Sequence, residues 1–294
     1  MKKTVSNILI FSLTCFVFLI VFISPSIFIP VSEEILKRLN PEEMNLFFPL
    51  LLLLAIYISI TYLLLIRSSE LSKKSLLVKL VTANFILFPL MGLLEMFFWG
   101  DAFKGIETSE FIKIFFRFVI TFSVFSVYLM LIHKPNLELS IESDTSESLK
   151  QLMYKIITIS LIYFIIYNFF GYFVAWQFEE TRIFYTGSAE IKDFFSAMFQ
   201  NISDPVFVLV HLFRGVLFGI AGYLFHSILS CSRKEELLIM SLLFGGFGFQ
   251  IILPNPMFPE MVRISHFLET TSSMLVFGFL VGYVLSNKDL FSNK

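Results

Sequence analysis

The segment FFPLLLLLAIYISITYLLLI, residues 47–66, decides the fold class of this chain. It carries no charged side chain over its whole length. It also lacks the regular alternation of apolar and polar residues that marks a membrane-spanning β-strand. A helix of about 20 apolar residues is long enough to cross the roughly 30 Å hydrocarbon core of a bilayer. Residues 47–66 are therefore predicted to form a transmembrane α-helix.

The composition of the whole chain extends this prediction to its other segments. Of the 294 residues, 56% are hydrophobic and only 15% are charged, whereas charged residues make up about 25% of a typical soluble domain. The mean hydropathy is +0.81. We predict an all-α fold, a polytopic integral membrane helical bundle.

The apolar segments predict about eight transmembrane helices in a single membrane-embedded domain, residues 1–294. The first segment follows two lysines, as in a signal peptide, but it is long and no cleavage site of small residues follows it. We interpret it as an uncleaved span that kinks or ends near Pro25. The predicted spans are residues 7–29, 46–66, 76–98, 111–132, 151–175, 205–230, 236–253 and 263–286.

The distribution of lysine and arginine predicts the orientation. These residues are more numerous on the side that holds both termini, and cytoplasmic loops carry an excess of positive charge. We therefore predict an integral protein of a bacterial cytoplasmic membrane with both termini in the cytoplasm. The acidic, serine-rich segment 133–150 is predicted to be a flexible cytoplasmic linker.

The predicted outer loop, residues 176–204, contains an amphipathic pattern. In SAEIKDFFSAMFQN, apolar residues recur at helical spacing and charged residues occupy the other side. We predict a helix here with Ser188 as its N-cap. The pattern fits a helix on the membrane surface and equally fits a lid over the bundle.

The stretch VRISHFLETTSSM, residues 262–274, brings three ionisable side chains into the last span. A charged side chain at the centre of a bilayer costs roughly 2.5–3.5 kcal/mol on insertion scales. Nearly all such residues in this chain fall in the half of the membrane away from the termini. We therefore predict a polar pocket in the outer half of the membrane, built by the third, fourth, sixth and eighth spans and roofed by residues 176–204.

Specific roles follow for the charged residues. His266 and Glu269 lie one helical turn apart and are predicted to form a catalytic acid–base pair. Arg214 and Arg263 are predicted to hold an anionic group by charge-assisted hydrogen bonds. The full predicted substrate-binding set is Arg214, Arg263, His211, Glu95, Arg117 and Arg182.

Purely structural roles are the alternative for several of these residues. Arg263 could extend to the lipid head groups, and Glu95 could form an ion pair with Arg117. Arg214 lies too deep to reach the surface, so it requires an acidic partner, for which Glu269 and Glu95 are the candidates. Two tyrosines, Tyr163 and Tyr167, are interpreted as core, and Trp99 and Trp176 as membrane-interface anchors.

Helical geometry predicts which faces meet. Arg263, His266, Thr270 and Ser273 form one stripe on the eighth span at about 100° per residue. The sixth span presents a face with His211, Arg214 and three glycines, and small residues allow close helix approach in membranes. We expect these two faces to pack together, with GGFG (residues 245–248) permitting tight packing beside them. The sixth-span face comprises His211, Arg214, Gly215, Gly219, Gly222 and His226.

No metal or other cofactor is predicted, because the chain has neither an HExxH motif nor a phosphate-binding loop. An open zinc site of His211, His266 and Glu269 is the alternative. Two cysteines cannot form a disulfide framework. The net charge of −1 gives no general attraction to nucleic acid, and the predicted partner is membrane lipid.

Three functions remain open at this stage. The first is an enzyme that binds and modifies an anionic lipid-like substrate or a glycan in the polar pocket. The second is a transporter or flippase that uses the same pocket. Because the charged residues lie in one half of the membrane and no repeat is evident, the pattern slightly favours the first. The third is a non-catalytic membrane protein whose charges only fix the register of its helices.

Overall fold

The computed structural model describes residues 2–103, 105–135, 148–287 and 290–291. These residues form helices and connecting turns, with no strand among them, and eight of the helices are long and apolar enough to cross a membrane. The predicted all-α fold is confirmed. Numbered along the chain, spans 1 to 8 are Lys2–Ile23, Phe47–Arg67, Lys73–Phe98, Thr108–Ile132, Leu149–Phe173, Pro205–His226, Arg233–Phe249 and Glu260–Ser286.

The eight spans pack as a closed ring. Span 1 lies against spans 2 and 4, span 3 joins span 4 to span 6, and span 5 joins span 6 to span 8. Span 7 packs against span 8 and span 2, which completes the ring. Apolar side chains such as Phe218, Phe244 and Phe277 fill its centre, where spans 6, 7 and 8 meet.

The glycine face of span 6 meets a different neighbour from the predicted one. A Cβ atom added at Gly215 would lie 2.7 Å from the Cα atom of Ser160 in span 5. Gly219 also faces span 5, and only Gly222 faces span 8, through Val281. The prediction that this whole face packs on span 8 is therefore wrong, because a small-residue face specifies close approach without specifying which helix approaches.

The two ends of the spans differ in what they carry. The described ends of the chain lie on one side, the termini side, where Arg67 donates to Asn7 and Gln151 donates to the carbonyl of Phe291. Most of the predicted linker 133–150 lies outside the described residues. Within its described part, His133 is buried between the carbonyl oxygens of Ile66 and Leu71.

The opposite side, the loop side, carries the longer connections. Here Pro25–Phe28, Glu33–Leu36 and Pro41–Met44 connect spans 1 and 2, and span 1 ends at Ile23, next to Pro25 as predicted. Between spans 5 and 6 lie the short 3-10 helix Ala175–Gln177 and two further α-helices. We name Glu179–Thr186 the loop helix and Phe194–Ser203 the cover helix.

The cover helix corresponds to the amphipathic pattern but begins later than predicted. Ser188 lies in the connection before it, so the predicted N-cap is wrong. Asp193 is the cap, and its carboxylate accepts a hydrogen bond from the backbone N–H of Ser196 at 3.1 Å. Hydrogen bonds from Ser196 lower the pKa of Asp193, which keeps the cap ionised.

Candidate functional site

A cavity of about 540 Å³ lies within the loop-side half of the ring. This volume falls in the range of about 300–1,000 Å³ that is typical of ligand pockets. Spans 3 to 8 line it, and the loop helix and the cover helix contribute from above. The ionisable residues in its wall are Glu95, Tyr163, Tyr167, Tyr172, Tyr185, Glu190, Lys192, Arg214, His266 and Glu269.

A π-helical turn in span 3 shapes one wall of the cavity. Span 3 runs as an α-helix over Lys73–Phe85, as a π-helix over Ile86–Leu90 and again as an α-helix over Met91–Phe98. Pro89 lies inside the π-helix and lacks an N–H donor, which disturbs the regular hydrogen-bond ladder. Short π-helical turns are frequent at functional sites. The segment after this turn carries Glu95 into the cavity wall.

Arg214 is the most deeply buried charge in the cavity wall, with 2% of its surface exposed. One of its terminal nitrogens, Nη2, forms an ion pair with Glu95. Its guanidinium carbon lies 5.6 Å and 5.8 Å from the ring centroids of Tyr163 and Tyr167, within cation–π range. Among the described residues, none accepts a hydrogen bond from Nε or Nη1. A buried donor without a partner costs about 1–3 kcal/mol, so this guanidinium favours an acceptor supplied from the cavity.

Glu269 and His266 lie one turn apart on span 8, and both line the cavity. The Glu269 carboxylate accepts hydrogen bonds from the hydroxyl of Thr270 at 2.7 Å and from that of Ser273 at 3.3 Å. The predicted acid–base pair thus faces the same cavity as the Arg214–Glu95 ion pair. Its catalytic role stays a prediction.

Tyr185 of the loop helix fixes the imidazole of His266. The phenol oxygen lies 2.9 Å from His266 Nε2. Burial raises the pKa of Tyr185 well above its usual value of 10.0, and the nearby carboxylates of Glu95 and Glu269 raise it further. Because the phenol keeps its proton at neutral pH, it can donate to Nε2 of a neutral imidazole. That arrangement leaves the imidazole proton on Nδ1.

The loop helix is itself held in place by polar contacts. The hydroxyls of Thr181 and Ser265 are 2.6 Å apart, which ties the helix to span 8. Both tryptophans pack on Tyr185, with ring centroids 5.0 Å away for Trp99 and 5.7 Å away for Trp176. The tryptophans therefore form part of the cavity wall, beyond the interface-anchor role expected for them.

Three predicted substrate-binding arginines do not line the cavity. Arg182 donates to the carbonyl oxygens of Trp176 at 2.6 Å and Ala189 at 2.8 Å. Arg117 donates from Nε to the carbonyl of Ile29 at 2.8 Å. The predicted ion pair between Glu95 and Arg117 is therefore wrong, since Glu95 pairs with Arg214.

Arg263 is the third of these arginines, and it is buried rather than extended to the head groups. Only 4% of its surface is exposed. It donates to the carbonyl of Ile252 at 2.6 Å and forms an ion pair with Glu43 at 3.2 Å. A backbone carbonyl and a loop carboxylate keep this guanidinium outside the cavity.

His211 lies behind the cavity wall. It is fully buried between the rings of Phe207 and Tyr167, with both centroids 4.1 Å away, and its Nδ1 is 2.7 Å from the carbonyl of Phe207. It does not line the cavity with His266 and Glu269. The described part of the chain contains no group of three His, Cys, Asp or Glu side chains placed to hold a metal ion. The geometry therefore gives no support to the alternative zinc site.

Sequence reasoning missed Tyr185 as a site residue. Tyr163 and Tyr167 belong to the hydrophobic core or pack against it, as expected, and they also line the cavity. The contact between Tyr185 and His266 joins residues 81 positions apart, and nothing in the local pattern of the loop indicates it. For Tyr163 and Tyr167 a signal was present, because both lie on the face of span 5 that points to the same interior as Arg214. Comparison with family models, curated proteins and solved structures finds no match for this chain.

Proposed function

We propose that this membrane protein binds a lipid-like molecule with an anionic head group in the cavity and modifies that head group. The observation that carries the proposal is the incomplete coordination of Arg214. Glu95 occupies one nitrogen of a nearly fully buried guanidinium, and two further donors have no partner among the described residues. Charge-assisted hydrogen bonds to a phosphate or carboxylate oxygen would satisfy those donors.

The rest of the cavity supports a ligand that is also apolar. Aromatic and aliphatic side chains of spans 3, 4, 7 and 8 line the space beside the charged groups, and they suit a hydrocarbon chain. Burial of apolar surface contributes about 25 cal/mol per Å². This part of the wall consists of Phe88, Met96, Ile114, Phe115, Phe118, Phe247 and Met274.

His266 and Glu269 are the groups for acid–base chemistry in this proposal. Glu269 would remove a proton from an attacking hydroxyl or water molecule and return it to the leaving oxygen, while the neutral imidazole of His266 would stabilise negative charge on that oxygen by a hydrogen bond from Nδ1–H. Tyr185 holds the other imidazole nitrogen, so Nδ1 is the one free to act. Positioned acid–base groups of this kind contribute about 10²–10⁴-fold to a rate.

The first test is identification of the bound molecule. Protein purified in lipid nanodiscs is examined by native mass spectrometry, then titrated with lysophosphatidic acid. Arg214→Lys replaces the planar guanidinium and its fixed N–H donors with a single ammonium group. This change is expected to weaken binding of lysophosphatidic acid by about 10–100-fold, since hydrogen bonds to charged groups contribute about 1.5–3 kcal/mol. Arg117→Lys is the matched control and should bind as the wild type does. Equal binding by the two variants would refute the proposal.

Transport is the second candidate, and span 3 is the reason to keep it. Interrupted helices line the substrate sites of many transporters, and the π-helical turn with Pro89 lies in the cavity wall. Proteoliposomes loaded with fluorescent lysophosphatidic acid separate the two functions. Movement of an unchanged lipid between leaflets supports transport, whereas a chemically altered lipid supports the enzyme.

A further inference from the structure

The cover helix presents two different faces at about 100° per residue. Phe195, Phe199 and Ile202 lie on the first face and are 78%, 74% and 49% exposed. Single exposed apolar residues are common on any protein, but three on one helical face form a patch. Such a patch requires an apolar partner.

The other face of the cover helix is occupied. Ala197 and Asn201 line the cavity, and Asn201 donates to the side chain of Asn168 in span 5 at 3.0 Å. Gln200, which also lines the cavity, accepts a hydrogen bond from Lys192 at 2.7 Å. The cover helix thus has the cavity on one side and an uncovered apolar patch on the other.

The position of the patch identifies what covers it. The Phe194 ring lies 5.0 Å from that of Phe173 and 6.4 Å from that of Phe169, between centroids. These two rings of span 5 are themselves 47% and 50% exposed, on a helix long and apolar enough to cross the membrane. On a helix that crosses a membrane such an exposed face would meet lipid. Phe194 links that face to the patch, because its ring centroid lies 5.5 Å from that of Phe195. The chemistry that covers both is therefore hydrocarbon chains of the bilayer.

The cover helix is also weakly held. None of its ten residues is buried, and few buried apolar contacts are the mark of elements that open at low free energy. It lies directly over the cavity and, through Phe194, beside the lipid-facing surface of span 5. A displacement of this one helix would connect the cavity to the adjacent leaflet.

We propose that the cover helix lies in the membrane interface with Phe195, Phe199 and Ile202 among the acyl chains, and that it is the gate through which a lipid-like molecule enters sideways from that leaflet. The identity of the entering molecule rests on the function proposed above. The location of the helix does not rest on it, so the two can fail separately.

The location is tested by spin labels on two faces of the same helix. In nanodiscs and a Cys231→Ser background, where the remaining Cys15 is buried, labels are attached to Phe199→Cys and to Ser196→Cys. The label at 199 is expected to collide mainly with oxygen, and the label at 196 mainly with a water-soluble nickel chelate. Equal exposure of both labels to the chelate would overturn the membrane location.

The gate is tested by fixing the cover helix to span 5. Asn168→Cys with Asn201→Cys, joined by a short thiol cross-linker in the same background, should slow the exchange of fluorescent lysophosphatidic acid at least tenfold. The same double variant without cross-linker is the control, and mass spectrometry verifies the joined species. An unchanged exchange rate overturns the gate while leaving the proposed function intact. Absence of binding in all proteins, together with a lipid-embedded label at 199, overturns the function and leaves the location intact.

Discussion

Arg214 and Arg263 are both almost fully buried near the loop side, yet their surroundings differ. Arg263 uses its two terminal nitrogens on the carbonyl of Ile252 and the carboxylate of Glu43. Arg214 uses one nitrogen on Glu95 and lines a cavity, and its Nε and Nη1 have no acceptor among the described residues. Depth in the membrane therefore does not identify a functional charge. Arg263 also leaves its Nε without an acceptor among the described residues, so an unpaired donor alone does not separate the two. Contact with a cavity does.

The largest expected effect comes from comparing two acidic residues, Glu269 in the cavity wall and Glu43 beside Arg263. Glu269→Gln should lower turnover of the bound lipid by about 10²–10⁴-fold, because the base is lost, while binding at Arg214 persists. Product formation is followed by mass spectrometry on protein with measured lipid occupancy. Glu43→Gln, at the Arg263 site outside the cavity, should turn over normally per folded molecule. If Glu269→Gln turned over lipid at the wild-type rate, Glu269 would not be the base.

The next effect is on stability, and it reverses the ranking of the two sites. Arg263→Met leaves the poorly exposed Glu43 carboxylate, 13% exposed as a side chain, without its cation. Breaking a buried pair in this way costs about 3–5 kcal/mol. Arg214→Met leaves Glu95, whose side chain is 34% exposed beside the cavity, and should cost clearly less. The stabilities of the two variants are compared by thermal unfolding in one detergent. A larger loss of stability for Arg214→Met than for Arg263→Met would contradict this prediction.

A smaller effect is expected from Tyr185→Phe. Loss of one hydrogen bond between neutral groups amounts to about 0.5–1.5 kcal/mol, so turnover should fall about tenfold or less with lipid binding unchanged. Since burial raises the pKa of Tyr185 above its usual value of 10.0, this phenol does not ionise as pH rises to 10. The pH–rate profiles of the variant and the wild type should therefore keep the same shape up to that pH. A profile that differs between them below pH 10 would show that Tyr185 titrates.

The last prediction concerns orientation in the membrane and involves no change in turnover. It places both arginine sites on the outer side. In the Cys231→Ser background, a membrane-impermeant thiol reagent added to whole cells should label Ser188→Cys and not Lys74→Cys. Both positions are exposed, on the loop side and the termini side respectively. The reverse labelling pattern would place the termini outside and the cavity toward the inner leaflet.

The fold could be predicted because a hydrocarbon layer constrains the chain so strongly. Length and apolar content alone identify a span, and eight are found where about eight were predicted. The half of each span that carries the charged groups also follows, because position along a span gives the distance from its ends. The hydrogen-bond partner of each charged group could not be predicted in this way. Arg117 binds the backbone carbonyl of Ile29, 88 residues away, and a carbonyl leaves no mark in the sequence.

The sequence also could not predict which helix packs against the glycine face of span 6. Gly215 and Gly219 show that span 6 approaches another helix closely, but several helices in a ring could accept that face. The observed neighbour is span 5, at Ser160. The cavity residues of spans 3, 6 and 8 could be selected by their charge, whereas Tyr185 required knowledge of how the loop folds back over span 8.

The π-helical turn at Ile86–Leu90 has a consequence for insertions and deletions. A π-turn holds one residue more than an α-helical turn, so the two α-helical parts of span 3 are out of phase by one position. Deleting a single residue there would restore the phase and rotate Met91–Phe98 by about 100° relative to Lys73–Phe85. Glu95 would then turn away from Arg214 with no functional side chain replaced. The number of residues in the π-helical turn therefore helps to set the direction of the Glu95 carboxylate.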